Sequence, residues 1–335
     1  MFHRSRISVV TIYAATVLSA SAMLAPRAVG ADTAQLMVFV EPGVDDDPIF
    51  MALTKGFYKA EGLDVDTRLF PSGTTALQTF KAGAGDIVVT GDLPGLQYWQ
   101  RGAPYRVITA LERDAKGYSA IVSNAVQSPQ DLVGKSIATR IGSTGSYFLS
   151  QYLRKNGIDE AKVHVRNLDP PTMPPALCRG DIDGFFVWEP GPSEAQGMCP
   201  AKVHYLTTAE GYMVGYNIIG ARPEWLATPD GADKTRRFLR ATLKGAEFAA
   251  TDAKADIDDL EKRFGLSEKE IVAQRAIMER DLKLDAQFYS DFCSENEWQE
   301  RAGLQTGPSD LAKWVWPDGL NSIDPSLSAP PPPPC

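Results

Sequence analysis

Apolar positions along this chain switch repeatedly between a period of two and a period of three to four, which predicts strands and helices in alternation. The clearest stretch runs from Pro48 to Pro94. Ile49, Phe50, Leu53, Phe57 and Tyr58 fall at helical spacing, with Asp47 placed to cap one helix, Pro48 to open it and Gly62 to end it. Residues 64–69 then alternate as a strand, and Ser72 stands where a second helix would be capped. Residues 87–90 read as a short buried strand, and Asp92 followed by Pro94 starts a third helix. Every helix begins where a strand ends. In an open α/β sheet such turns line the ligand crevice, and their unpaired backbone N–H groups form an anion site.

The rest of the chain repeats the pattern. Two strands, 105–112 and 118–123, flank a polar turn where the chain is expected to cross into a second lobe. There Ser128 and Pro129 open a short helix, 135–139 is a strand, 142–146 is a turn, and 145–156 is a helix stopped by Gly157. Strands follow at 163–167 and 182–188, and 211–219 leads the chain back. From Trp225 to about Arg301 the pattern is helical, with Ser267 and Glu270 forming a capping box. The expected organisation is a signal peptide over 1–31, the first part of lobe 1 over 32–117, lobe 2 over 118–213, and a mainly helical return to lobe 1 over 214–321. The tail, 322–335, contains five consecutive prolines from Pro330 and reads as a disordered extension.

Composition narrows the partners. At roughly 150 residues per domain, 335 residues suit two lobes. Arg4 and Arg6, an apolar run from Ile7 to about Leu24, and the small residues Val29, Gly30 and Ala31 make a Sec-type leader. An uncleaved anchor is the alternative, because the run approaches the length of a spanning helix. Export with cleavage predicts a periplasmic protein not inserted in the membrane after processing; no cysteine stands at the expected mature N-terminus, so no lipid anchor is expected. The formal charge is −8, and removing Arg4, Arg6 and Arg27 leaves 31 basic against 42 acidic residues, or −11. That excess argues against nucleic acid or an anionic membrane surface as partner, so any attraction for an anion has to be local. All four cysteines lie beyond the leader, in an oxidising compartment. Of the three pairings four cysteines allow, Cys178 with Cys199 is expected, Cys293 reads as a buried small hydrophobe, and Cys335 reads as a loose end; four free thiols are the alternative.

The wording of Pro48–Pro94 resembles the nitrate, sulfonate and taurine family of periplasmic binding proteins that feed ABC importers, a family that also includes thiamine-precursor binders. Ser128–Leu153, SPQDLVGKSIATRIGSTGSYFLSQYL, resembles the start of that family's second lobe, and Gly180–Pro190, GDIDGFFVWEP, resembles its strand ending in a Trp-Glu-Pro turn. The resemblance covers about 36–220. It implies an α/β periplasmic binding protein fold of type II, with two α/β lobes, a hinge and a central ligand cleft. It also implies transport of a small organic anion, sulfonate or taurine-like, to a permease with a separate ATPase subunit, by a binding protein expected to be a monomer. Nitrate, a thiamine-pyrimidine precursor and an exported sensor are the alternatives, with an enzyme of the same fold behind them.

Candidate contacts follow from the turns. Small residues in Gly142–Ser146 let a ligand approach the backbone, Ser143, Thr144 and Ser146 add hydroxyls, the next helix aims its first N–H groups at an anion, and Arg140 could add a bidentate charge. An ordinary Ser/Thr cap is the competing reading. Ser72, Gly73 and Thr74 make a matching turn, and Asp92 with Leu93 a third, again either caps or clamps. Trp188 either covers an organic group or fills a core, and Glu189 either accepts from an ammonium or joins a hinge bond. Tyr118 and Tyr216 are candidate walls. Asp45 and Asp46 follow the first strand; they favour a helix start, or, if they face the cleft, a ligand with a positive group. No metal is expected, since no Cys-x-x-Cys or His-x-x-x-His spacing appears. No catalytic residue or cofactor is expected either: Ile141 stands where a hydrolase elbow needs glycine, and no nucleotide fingerprint is present.

Overall fold

The computed structural model describes Met1 and residues 34–280, 282–301, 303–304 and 309–335. The expected leader, apart from Met1, lies outside the described residues. Two mixed sheets account for the architecture. The first joins β1 (Ala34–Val40), β2 (Leu63–Leu69), β3 (Ile87–Gly91), β4 (Arg106–Asp114), β10 (Gly215–Ala221) and β11 (Glu279–Arg280) in the order β11-β4-β10-β3-β1-β2. The second joins β5 (Tyr118–Ser123), β6 (Ser136–Thr139), β7 (His164–Asn167), β8 (Gly184–Trp188) and β9 (Val203–Thr208) in the order β7-β6-β8-β5-β9. The chain crosses from the first sheet to the second between β4 and β5, and returns between β9 and β10. These are the two lobes.

Each lobe has a switch point. From β1 the chain moves outward to β2 and then back to β3 on the other side, all three parallel. From β6 it moves to β7 and then to β8 in the same way. The crevice therefore opens at the carboxyl ends of β1 and β3 in lobe 1 and of β6 and β8 in lobe 2. The antiparallel strands β10 and β5 start at that same rim, because Asn217 pairs with Gly91 and Tyr118 with Trp188.

Helices cover the sheets: α1 (Asp47–Thr54), α2 (Phe57–Ala60), α3 (Gly73–Lys81), α4 (Asp92–Gln100), α5 (Thr144–Lys155), α6 (Met173–Arg179) and α7 (Gly191–Met198), then α8 (Pro223–Leu226), α9 (Pro229–Thr251), α10 (Ala253–Phe264), α11 (Glu268–Arg275) and α12 (Ala286–Arg301) of the return. The helix expected from Asp47 to Gly62 is two, because Gly56 takes a left-handed φ of 71° that only glycine adopts freely and reverses the chain between α1 and α2. Helix α9 lies so close on α1 that a Cβ at Gly245 would stand 2.1 Å from the Pro48 carbonyl oxygen. Phe50, fully buried, packs edge-on against Phe264 at 5.0 Å, and Tyr58 stacks on Phe238 at 5.2 Å. Burying each such ring contributes about 1.5–3 kcal/mol.

The tail corrects the sequence reading. Ile323, Leu327 and Ala329 pack against the lobe-1 core, the Leu284 N–H donates to Leu327 O while the Ala329 N–H donates to Leu284 O, and Cys335 is bridged to Cys293 of α12. Neither is a loose end or a free thiol. Cys178 and Cys199 are also bridged, closing α6 onto the end of α7. No described helix is long and apolar enough to cross a membrane.

Candidate ligand-binding cleft

Eleven residues from both rims enclose a cavity between the lobes: Glu41, Asp45, Gly73, Thr74, Gly91, Pro94 and Asn217 from lobe 1, and Tyr118, Ser143, Thr144 and Trp188 from lobe 2. Its volume is ≈ 20 Å³, about the room of one water. A larger solute enters only when the lobes part. Two hydrogen bonds cross the gap. Thr144 Oγ1 donates to Asp92 Oδ1 at 2.5 Å, and the Trp188 indole N–H bonds the Glu41 carboxyl, which also accepts from the Gly73 backbone N–H.

The starts of α3, α4 and α5 converge on this cavity, and their first N–H groups make it attractive to an anion. Gly73 lets the start of α3 pack directly on β3, since a Cβ there would meet Thr90 Oγ1 at 2.3 Å. The buried hydroxyls of Thr74 and Ser143 have no hydrogen-bond partner within the protein. Buried hydroxyls are rarely left so. Among the described residues no lysine or arginine lines the cavity.

The opposite wall is acidic. Burial and the neighbouring charge of Asp45 push the Glu41 carboxyl up to about 8. Burial raises Asp45 to about 6 against the hydrogen bond that Asn217 Nδ2 donates at 2.9 Å. Behind them Asp46 and Glu112 are raised well above the usual range, first by burial and then by Asp45. Under the rim Asp92 accepts from Leu93 N at 2.7 Å and Tyr216 N at 2.8 Å, and burial raises it. Glu295 of α12, beside Asp92, is likewise raised by burial and then by the Asp92 charge. Among the described residues no group of His, Cys, Asp and Glu has the arrangement to hold a metal ion.

Of the residues singled out in the sequence, Asp45, Gly73, Thr74, Tyr118, Ser143, Thr144 and Trp188 meet at the cavity, with Asp92 bonded just beneath it. Others serve elsewhere. Ser72 caps α3 through Thr75 N, and Ser146 Oγ donates to Ser143 O at 2.7 Å. Asp46 accepts from Glu41 N at 3.0 Å, behind the rim. Leu93 is buried in the apolar contact between α4 and lobe 2. Arg140 is paired with Asp169 at 3.2 Å and does not line the cavity. Tyr216 donates its hydroxyl to Asp291 and packs its ring on Phe288 and Phe292. Glu189 faces a separate cavity of ≈ 390 Å³, where it accepts from Ser193 N at 3.1 Å, and its own N–H bonds Gly117 in the crossing segment. Burial raises it to about 7.

Glu41, Gly91, Pro94 and Asn217 were not foreseen. A signal existed for Glu41 and Gly91, which stand at the carboxyl ends of β1 and β3, the strands flanking the switch point. Asn217 had none, because its place depends on β10 inserting antiparallel between β3 and β4.

Two lobes with switch-point turns facing each other are the architecture of the periplasmic binding protein fold. The alkanesulfonate-binding protein SsuA from Xanthomonas axonopodis pv. citri has the same fold, with a TM-score of 0.74 at 20% identity over 85% of this chain and 98% of that one. Residues 45–255 match the family described as NMT1/THI5 like, and the chain belongs to it. A taurine-binding periplasmic protein of Escherichia coli K12 is 31% identical over 190 residues, 57% of this chain and 58% of that protein, so the chain spans little more than half of this relative's length. The riboflavin-binding protein RibY of Chloroflexus aurantiacus is 26% identical over 292 residues, 81% of each.

Proposed function

We propose that this chain is the periplasmic substrate-binding component of an ABC importer and that its solute is a small zwitterion, an organic sulfonate carrying an amine, as taurine does. One observation carries the reading: within a single cavity, two buried unpartnered hydroxyls and three helix starts face two carboxyls. Sulfonate oxygens accept from Thr74, Ser143 and the first N–H groups of α3 and α5. The ammonium donates to Glu41 and Asp45. Closure completes both ends at once, so the closed form is the one the permease and its separate ATPase subunit receive. The protein contributes no catalysis and needs no cofactor. A bare inorganic anion such as nitrate suits this cleft poorly, because it leaves the carboxyls without a counter-charge. Trp188 and Tyr118 beside Glu41 favour an aminopyrimidine as the second reading, stacked on the rings and donating to the carboxyl.

Titration calorimetry with taurine, ethanesulfonate, nitrate and an aminopyrimidine tests this. Taurine is expected to bind at least tenfold more tightly than ethanesulfonate, which lacks the amine. Equal affinity for the two, or no binding of either, overturns the zwitterion.

A further inference from the structure

Helix α12 starts in one core and ends in the other. Phe288, Tyr289 and Phe292 are buried in the core of lobe 1, and Cys293 is tied to the tail by its bridge to Cys335. One turn on, Asn296 Oδ1 accepts from Gln100 Nε2 of α4 at 2.7 Å, and the Glu295 carboxyl is hydrogen-bonded to Asp92 at the start of α4. These contacts fix α12 to lobe 1. Trp298, near the end of the helix, belongs instead to the core of lobe 2, where it clusters with Leu93, Tyr147 and Phe148. Its indole meets the Tyr147 ring at 4.5 Å between centroids, and only 8% of Trp298 and 7% of Tyr147 is exposed. Trp298 does not line the ligand cavity.

Tyr147 stands three residues after Thr144, so the two share one face of α5. That face meets lobe 1 twice: Thr144 bonds Asp92 at the cleft, and Tyr147 packs on Trp298 one turn further along. Glu295 and Trp298 have the same spacing on α12, so one helix edge of lobe 1 holds Asp92 and Tyr147 together. Parting the lobes pulls Tyr147 from Trp298 and returns both rings to water, which opposes opening although neither ring of the pair has to touch a solute. We propose that Trp298 is a positioning residue for closure: through Tyr147 it holds the start of α5 at the cleft and sets the fraction of molecules that is closed. The inference rests on the reading that the cleft closes on its solute, and not on which solute that is. Apparent affinity falls in proportion to the closed fraction, so this contact outside the cavity tunes the binding of every solute by one factor.

The test compares the full mature protein with Trp298→Ala by titration calorimetry with taurine and ethanesulfonate, and by small-angle scattering before ligand is added. Both affinities are expected to fall by the same factor, about tenfold, and the ligand-free variant to have the larger radius of gyration. A tryptophan that only fills a core would lower the melting temperature and leave the affinities of the folded protein as they were; that result overturns the inference. A loss confined to taurine overturns it as well, because closure serves both solutes. Tyr147→Ala approaches the contact from lobe 2 and is expected to give a similar loss, with the double variant losing no more than the weaker-binding single variant. Losses that add would mean the two rings do not act as a pair, and would also overturn it. If Trp298→Ala does not fold, Tyr147→Ala and Trp298→Phe carry the comparison, the latter with a smaller loss shared by the two solutes. If the wild type binds neither solute, the zwitterion falls, and scattering alone decides: a larger ligand-free radius in the variant upholds the role of Trp298, and equal radii overturn it.

Discussion

The two rims of the cleft are made from the same strand-to-helix turn, yet they carry different chemistry. In lobe 1 the turn after β1 brings Glu41 and Asp45 to the cavity, with Asp46 and Glu112 close behind. In lobe 2 the turn after β6 brings Ser143 and Thr144, the end of β8 brings Trp188, and no carboxyl faces the cavity. Both rims offer helix starts to an anion, so the helices alone do not orient a ligand. The carboxyls differ between the rims. Burial and neighbouring like charge raise Glu41 and Asp45, so a cationic group placed between the lobes would favour their ionised form.

The largest test of this comparison forces the rims apart. Gly91 has φ −62° and ψ 158°, which any residue adopts, but a Cβ there would stand 2.6 Å from Thr144 Oγ1 of the other lobe. Gly91→Val is therefore expected to leave each lobe folded and hold the cleft open, lowering solute affinity about 100-fold, or ~2.7 kcal/mol. Calorimetry reads the affinity and small-angle scattering reads a larger radius of gyration. Wild-type affinity with unchanged dimensions would mean that the lobes need not meet at Gly91.

Next comes the acidic rim. Glu41→Gln is expected to cost about 1.5–3 kcal/mol in taurine affinity, the range of a hydrogen bond to a charged group, and to leave ethanesulfonate unaffected. The pH dependence follows from the raised carboxyl. With Glu41 titrating at about 8 in the folded protein against 4.5 ordinarily, the native state holds a proton that the unfolded chain has released. Stability of the ligand-free protein due to this group falls as pH rises from 4.5 to about 8. A cationic ligand expels that proton, so its affinity rises with pH, by up to about tenfold per unit, and levels off above about 8. Titrations in buffers of different ionisation enthalpy measure the released proton. A flat profile in the wild type, or a slope kept by Glu41→Gln, removes Glu41 from the site.

The smallest effect belongs to the hydroxyl rim. Replacing Ser143 and Thr144 together with alanine is expected to lower affinity for taurine and ethanesulfonate alike, by about 1–3 kcal/mol. Arg140→Ala is expected to change neither, because its charge is spent on Asp169. A double variant that binds as the wild type does would reduce the pair to a helix cap.

How far the site could be read in advance depended on which kind of information each residue needed. The starts of α3 and α4 were legible at Ser72 and Asp92, because capping is a matter of a few neighbouring residues and an apolar stripe. The hydroxyls of Ser143 and Thr144 were legible for the same reason, at the glycine-rich start of α5. Arg140 was not, since Asp169 reaches it only once β7 lies beside β6. The break at Gly56 was missed because a glycine between two apolar turns fits one long helix as well as two short ones. The tail looked unstructured by composition, and its place against lobe 1 depends on α12 presenting Cys293 to Cys335.

The sequence by itself determined the alternation of strands and helices, the caps at Ser72 and Ser267, the turns that open toward a crevice, and an acidic balance that makes any anion site local. All of these are set by residues within a turn or two of one another. Only the tertiary structure decided which charges are buried together and what they face. Asn217 holds Asp45 across 172 positions, Thr144 bonds Asp92 across 52, and Trp188 closes on Glu41 from the other lobe. Desolvation and Coulomb energy depend on distance through space and on the water excluded from it, and neither is written in the spacing of residues along a chain.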